Sequence, residues 1–214
     1  MKAIIFVFLL TLFTSFNCSS TAQIPDYITI DDKEYRLHTN PLDKHLITIK
    51  WEMPENLSTS SANWRGYVAS WKIDAGLMFL TDVTISIYHK DEKRRESKSI
   101  FHEIFPGRDS INAVWYSGSL VIPHGEMTHY VHMGYGSSYE YYIVIRISEG
   151  VVTDYQDFTA AEFDKYKEAK FQTFKETQEF QKQLEELTSG EYNWSEEDAL
   201  FFLQNFHAEY YLSL

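Results

Sequence analysis

Between residues 26 and 157 the chain consists of short segments in which apolar and polar residues alternate, separated by turn-forming residues. A period of two is the pattern of a strand with one buried face. Parallel neighbours need a connection of a dozen or more residues, usually a helix, and no segment here has the length and period of such a helix. The sequence therefore predicts a mostly antiparallel sheet, folded as a sandwich or a partial barrel.

Turn residues divide this region into individual strands. Asp31 and Asp32 predict a hairpin turn between strands at 27–30 and 34–38. The mixed charges of 90–96 predict a solvated loop. The other predicted strands are 46–51, 67–73, 77–88, 112–122, 127–135, 139–148 and 151–155, with turns that include Asp74-Ala75-Gly76 and Pro123-His124-Gly125.

The C-terminal part of the chain, 158–214, has a helical pattern instead. Thr159 and Glu162 form a capping box, which predicts the start of one long helix. Ser195, followed by three acidic residues, predicts the start of a second helix. We expect the two helices to pair as a hairpin that packs on the sheet, with projection toward a partner as the alternative. The predicted fold class is thus α+β, with a β-rich domain at 24–157 and a helical segment at 158–214.

Residues 1–22 have the features of a secretory signal peptide. Met1-Lys2 gives a positive start, 3–13 are almost entirely apolar, and small residues precede a cleavage point after Ala22. The apolar run is shorter than the roughly 20 residues that a membrane-spanning helix needs. The sequence therefore predicts an exported protein, periplasmic or extracellular, whose mature chain has no transmembrane segment.

The only cysteine, Cys18, lies inside this leader. Cleavage just before Cys18, followed by its acylation, would anchor the protein to a membrane as a lipoprotein. Phe16 and Asn17 fit the lipoprotein pattern poorly, so we favour a mature chain that begins at Gln23. In either case a disulfide within the chain is excluded, and the fold depends on its hydrophobic core.

Composition excludes several classes of function. The net charge of −12 argues against nucleic acid or anionic lipid as a partner, because both require a basic surface. An apolar content of 44% and an aromatic content of 16% argue against a disordered chain. The chain has no phosphate-binding loop, dinucleotide-binding loop, zinc helix or serine-hydrolase elbow, so no cofactor or metal is predicted.

One group of reactive side chains suggests a hydrolase as an alternative function. His124, Glu126, His132 and Glu140 lie close in sequence, and histidine with carboxylates can act as acid and base. His129 and His132 would point to opposite faces of a strand, which argues against a shared metal. We favour structural roles for these residues, and convergence of His132 with either glutamate would favour the enzyme.

A second group predicts a contact surface. Trp64 and Arg65 stand between a polar loop and a strand, and both residue types are enriched at binding hot spots. With His132 and Tyr135 they form the predicted binding rim. The competing interpretation places Trp71 in the core and pairs Arg65 with one of the many acidic residues.

Three segments, 64–73, 115–126 and 130–140, resemble a group of uncharacterised exported bacterial proteins. These proteins share Trp-Arg-Gly-Tyr and Tyr-Val-His-Met-Gly-Tyr-Gly-Ser segments, which occur here at 64–67 and 130–137. Ala-Gln after the leader also resembles exported proteins of Bacteroidota-type bacteria. The resemblance covers about 26–155 and implies a shared fold, but no activity and no catalytic residue.

The sequence as a whole predicts an exported protein of the cell envelope, most simply a non-catalytic binding or accessory module. Its expected ligand is a protein or a carbohydrate. The alternatives are the hydrolase described above and an immunity-type protein that neutralises a basic toxin through its acidic surface.

Overall fold

The structure, a computed structural model, describes residues 22–189, 192–206 and 208–214. The predicted leader through residue 21, with Cys18, lies outside these residues. The strands are β1 Asp26–Ile30, β2 Lys33–Leu37, β3 Tyr67–Asp74, β4 Leu77–His89, β5 Arg94–Ser99, β6 Ile111–Asn112, β7 Gly118–His129, β8 Ser138–Ser148 and β9 Val151–Thr159. The helices are α1 Asp43–Thr48, α2 Phe101–Ile104, α3 Ala160–Lys175, α4 Gln178–Ser189, α5 Glu196–Asn205 and α6 Ala208–Leu212. The predicted α+β class is confirmed.

All nine strands belong to one mixed sheet. Its main order is β2-β1-β3-β4-β9-β8-β7, and β5 and β6 also pair with β4. Among the strand pairs of the described residues, only β1–β3 is parallel, so the prediction of a mostly antiparallel sheet is correct. The sheet is open but strongly curled. Just beyond β2, the His38 N–H donates to the Val121 carbonyl at 2.8 Å and brings the two edge strands together.

The two faces of the sheet bury different clusters. Leu120 and Ile122 join the inner core around Trp71, whereas Val121 between them faces the C-terminal helices with Val144. Strands buried on both faces read as continuous apolar runs rather than as alternating ones. This explains the unbroken apolar stretch at the start of β7. The helical segment therefore packs on the outer face of the sheet through α3 and α6.

The predicted strand at 46–51 is wrong, because the first half of this segment belongs to helix α1. Leu42 and Leu46 are buried, four residues apart, whereas Ile47 is 76% exposed. That spacing suits one helical turn with a single buried face. The Thr48 hydroxyl also donates to the Lys44 carbonyl within the turn.

The predicted turn at Pro123-His124-Gly125 is also wrong, since β7 continues through it. The ladder with β8 shifts register between His124 and Met127, which is a β-bulge, and Gly125 takes a positive φ of 77° there. The strand predicted at 127–135 ends at His129. Beyond it the Ser137 hydroxyl binds the backbone of Val131 and closes a loop.

The capping box at Thr159 and Glu162 is present as predicted, and Ser195 caps α5 by accepting from the Asp198 N–H. The single long helix is broken into α3 and α4. At the break, the Thr177 hydroxyl donates to the Phe174 carbonyl and accepts from the Phe180 N–H. A threonine that binds backbone in this way caps a new helix, which explains the interruption.

The segment predicted as a charged loop contributes strand β5, which forms a hairpin with the end of β4. All six of its side chains are exposed. Among the residues that the structure describes, no helix combines the length and the apolar character that a membrane crossing requires.

Candidate functional site

A cleft of about 550 Å³ lies between the outer side of α1, the turn before β7 and the C-terminal helix α6. Its walls come from parts of the chain that are far apart in sequence. The residues that determine its chemistry are Asn40, Lys44, His45, Trp115, Glu209 and Tyr210. Pockets of 300–1,000 Å³ at the junction of two structural units are the usual sites of small-molecule binding.

One wall of the cleft is a stack of aromatic rings. The His45 ring lies parallel to Trp115 with 4.0 Å between centroids, and Phe105 continues the stack. The Trp115 indole N–H donates to the Pro41 carbonyl at 3.2 Å, which fixes the orientation of the ring. Burial lowers the pKa of His45, so this imidazole is neutral at neutral pH. The wall is therefore rigid and uncharged.

Glu209, on α6, supplies the other main feature. Burial, with a smaller contribution from the nearby Asp43, raises the pKa of its carboxyl to about 7. The Asn40 N–H donates to one carboxyl oxygen at 3.4 Å. This hydrogen bond and the nearby Lys44 lower the pKa of Glu209 and so offset part of the rise caused by burial. A carboxyl that titrates near neutrality can both donate and accept a hydrogen bond, which suits it to hold a polar group of a ligand.

This carboxyl makes a testable contribution to stability. We expect deprotonation of Glu209 to lower the free energy of unfolding by on the order of 2 kcal/mol as the pH rises from 4.5 to 7. The folded chain holds the proton more tightly than the unfolded chain, so this stabilisation is complete below pH 4.5 and is lost as the pH passes 7. Urea unfolding of wild type and Glu209→Gln across this range isolates the effect. Parallel pH profiles for the two proteins would contradict it.

A buried polar network connects the sheet to the cleft. The Arg65 guanidinium donates to Asp26 Oδ1 at 3.0 Å, and the two side chains are 2% and 0% exposed. The same guanidinium contacts the Tyr135 hydroxyl, which donates to Asn40 Oδ1 at 2.9 Å. Asn40 in turn reaches Glu209 through its backbone N–H. The network thus links the first strand with the last helix.

The four residues of the predicted rim do not all lie together in the structure. Arg65 and Tyr135 come together, but within the buried network, where other groups of the protein occupy their polar atoms. Trp64, which directly precedes Arg65 in the sequence, is 66% exposed. The exposed His132 packs edge-on against Tyr130, with 4.5 Å between ring centroids. The pairing of Arg65 and the burial of Trp71 agree with the competing interpretation.

The residues of the hydrolase alternative also have separate partners. His124 Nε2 lies 3.4 Å from Asp157 Oδ1. Glu140 accepts a hydrogen bond from the Glu126 backbone N–H at 3.0 Å. His132 contacts Tyr130 instead. Within the ranges that the structure describes, no group of three or more histidine, cysteine or acidic side chains is arranged to hold a metal ion.

Sequence reasoning did not find the cleft. Trp115 was noted only within a resembling segment, and Glu209 stands alone among the apolar residues at the end of the chain. Asn40 and Glu209, which meet in the fold, are 169 positions apart. The one available signal is a single acidic residue in an otherwise apolar C-terminal segment.

Comparisons with protein-family models, with curated proteins and with solved structures find no match for this chain.

Proposed function

We propose that this chain is an exported, non-catalytic binding protein of the cell envelope, which holds a small ligand in the cleft between Trp115 and Glu209. The observation that carries the proposal is the combination of a stacked aromatic wall with a carboxyl whose pKa is raised, that of Glu209, in a cleft of about 550 Å³. An apolar surface with a few convergent polar groups is the usual composition of a ligand site.

The proposed ligand has a ring that lies against Trp115 and a polar group that binds Glu209. Such a ligand contacts both the sheet side of the cleft and α6, so it favours the state in which the helix is docked. A ligand that binds only the folded state raises its stability by RT ln(1 + [L]/Kd), about 2.7 kcal/mol at a hundredfold excess over Kd. Binding is therefore expected to raise the thermal unfolding temperature.

The test uses the chain from Gln23 to Leu214, which is melted with neutral monosaccharides, amino acids and aromatic amines in turn. We expect one class to raise the unfolding temperature by about 3 °C or more, and Glu209→Gln to abolish that shift. Tyr192→Ala, a change at a residue that is 63% exposed and does not line the cleft, is the matched control and should keep the shift. Absence of any shift, or an equal shift in Glu209→Gln, would refute binding in this cleft.

Export is tested separately. Fusion of residues 1–22 to a reporter that is active only outside the cytoplasm should give reporter activity. The mass of the mature protein, measured by mass spectrometry, should correspond to a chain that begins at Gln23. Replacement of Cys18 by alanine should change neither result. A mature chain that begins at Cys18 and partitions into detergent would instead establish the lipid anchor.

A further inference from the structure

A second cluster of aromatic and polar side chains lies away from the cleft, on the inner face of the curled sheet. We name it the tyrosine surface. It consists of Tyr35, His124, Tyr141, Tyr155 and Asp157, which come from β2, β7, β8 and β9. Four strands thus contribute to one surface that shares no residue with the walls of the cleft.

Strand register places these side chains on one face. Residues directly opposite in an antiparallel pair project to the same side of the sheet. His124 is opposite Tyr141, while Tyr155 is opposite Ile145, a residue of the inner core. Asp157 lies two positions from Tyr155 on the same strand and therefore projects to the same side. The tyrosine surface is the continuation of the inner core toward solvent.

The members of the surface are held together by contacts across the strands. The His124 ring stacks on Tyr141 with 5.4 Å between centroids and meets the edge of Tyr35 at 6.1 Å. The same imidazole lies 3.4 Å from the Asp157 carboxylate. Partial burial raises the pKa of Tyr155, and the nearby Asp157 and Tyr35 add to this rise. The rings are therefore prearranged before any ligand arrives.

The tyrosines remain accessible although they face the inner side of the sheet. Tyr141 is 43% exposed and Tyr155 is 50% exposed. Tyrosine combines an apolar ring with a hydroxyl, so such residues are well suited to a ligand that has both flat apolar faces and polar edges. The mouths of curled sheets and barrels are a frequent place for ligand sites.

Charge narrows the class of ligand. The Lys33 ammonium lies 4.7 Å from the centre of the Tyr35 ring, and Asp157 and Asp31 bring negative charge to the neighbourhood of Tyr155. The surface thus has one nearby positive charge and two negative ones, which disfavours an acidic polymer as the ligand. The exposed rings of Tyr141 and Tyr155 carry polar hydroxyls, whereas an amphipathic helix of a protein partner docks in an apolar groove.

We propose that the tyrosine surface binds a neutral carbohydrate chain, whose sugar rings stack on Tyr141 and Tyr155 and whose hydroxyls bind His124 and Asp157. The stacking uses the apolar faces of the sugars, and the imidazole and carboxylate supply a donor and an acceptor for their hydroxyl groups. This site is independent of the ligand proposed for the cleft, so either proposal can fail without the other.

The test is affinity electrophoresis of the chain from Gln23 to Leu214 in native gels that contain dextran, a soluble β-glucan, xylan or mannan. We expect at least one of these neutral polysaccharides to retard the protein. Tyr141→Ala and Tyr155→Ala should each weaken the association about tenfold. Tyr192→Ala, which removes a tyrosine that is 63% exposed elsewhere, should leave it unchanged. Glu209→Gln should also keep the retardation, which separates this site from the cleft.

Three results would overturn the proposal. These are no retardation by any of the four polysaccharides, undiminished retardation of both Tyr141→Ala and Tyr155→Ala, or an equal loss of retardation in Tyr192→Ala. Both substituted tyrosines are partly exposed, so unchanged far-UV circular dichroism and unfolding temperature should accompany the lost binding. If one variant fails this check, the other carries the result.

Discussion

Replacement of Arg65 by methionine is expected to lower the free energy of unfolding by about 3–5 kcal/mol at pH 7. The substitution leaves the carboxylate of Asp26, whose side chain is fully buried, without its counter-charge. The carboxylate keeps hydrogen bonds from the Ala69 N–H and the Trp71 indole, but these do not neutralise it. Urea unfolding followed by circular dichroism measures the loss.

A matched control is Lys98→Met, which breaks an ion pair with Glu103 whose side chains are well exposed. We expect that change to cost less than about 1 kcal/mol, because water already solvates both charges. The deficit of Arg65→Met should also shrink as the pH falls from 7 to 5. Burial already raises the pKa of Asp26 in spite of the opposing charge of Arg65, and loss of the guanidinium raises it further, so the carboxyl takes up a proton more readily in the variant. A deficit that is independent of pH would instead indicate lost packing.

Phe174→Ala is the second large effect, with an expected loss of about 3–5 kcal/mol. The Phe174 side chain is fully buried and packs against Phe180 and Tyr211, within the cluster that includes Val144 of the sheet. Because this cluster joins helices to sheet, we expect the whole chain to unfold in one step at a lower urea concentration. Tryptophan fluorescence and far-UV circular dichroism should give coincident transitions.

Phe201 provides the control for this experiment, since it lies on α5 and is 60% exposed. Phe201→Ala should change the free energy of unfolding by no more than about 0.5 kcal/mol. Loss of helical signal at a urea concentration where the tryptophan fluorescence is still largely native would contradict the prediction. The helical segment would then be an independent unit.

Features that depend on neighbouring residues were predictable from the sequence. Asp31 and Asp32 both take positive φ values, 49° and 61°, as a two-residue hairpin turn requires. The capping box of α3 likewise needs only the side chains and backbone of four consecutive residues. In both cases the residues that determine the local structure lie within four consecutive positions of the chain.

Other features depend on contacts that no local pattern contains. The alternation at 46–51 matches a strand, but burial of Leu42 and Leu46 together makes one helical turn the better solution. Gly125 resembles a turn residue, yet it is a bulge because β8 pairs on both sides of it. Tertiary packing thus overrides local preference at both places.

The same limit applies to the candidate site. The pairing of Arg65 with an acidic residue was anticipated as one alternative, since a buried guanidinium requires a partner. The identity of that partner, Asp26, depends on the parallel pairing of β1 with β3. Glu209 and Trp115 line the same cleft because α6 packs beside β7, and no spacing in the sequence encodes that arrangement.

Strand β5 has a consequence for the behaviour of the protein at high concentration. In the part of the chain that the structure describes, β5 pairs only with β4, so its outer edge offers unpaired backbone groups. An unprotected edge of this kind recruits strands of other molecules and begins fibrillar aggregation. Here the edge carries two arginines, a lysine and a glutamate, all exposed. If β5 of a second copy paired with this edge, it would bring the positively charged side chains of the two strands close together. The charge of β5 therefore opposes edge-to-edge association and helps to keep the protein soluble at high concentration.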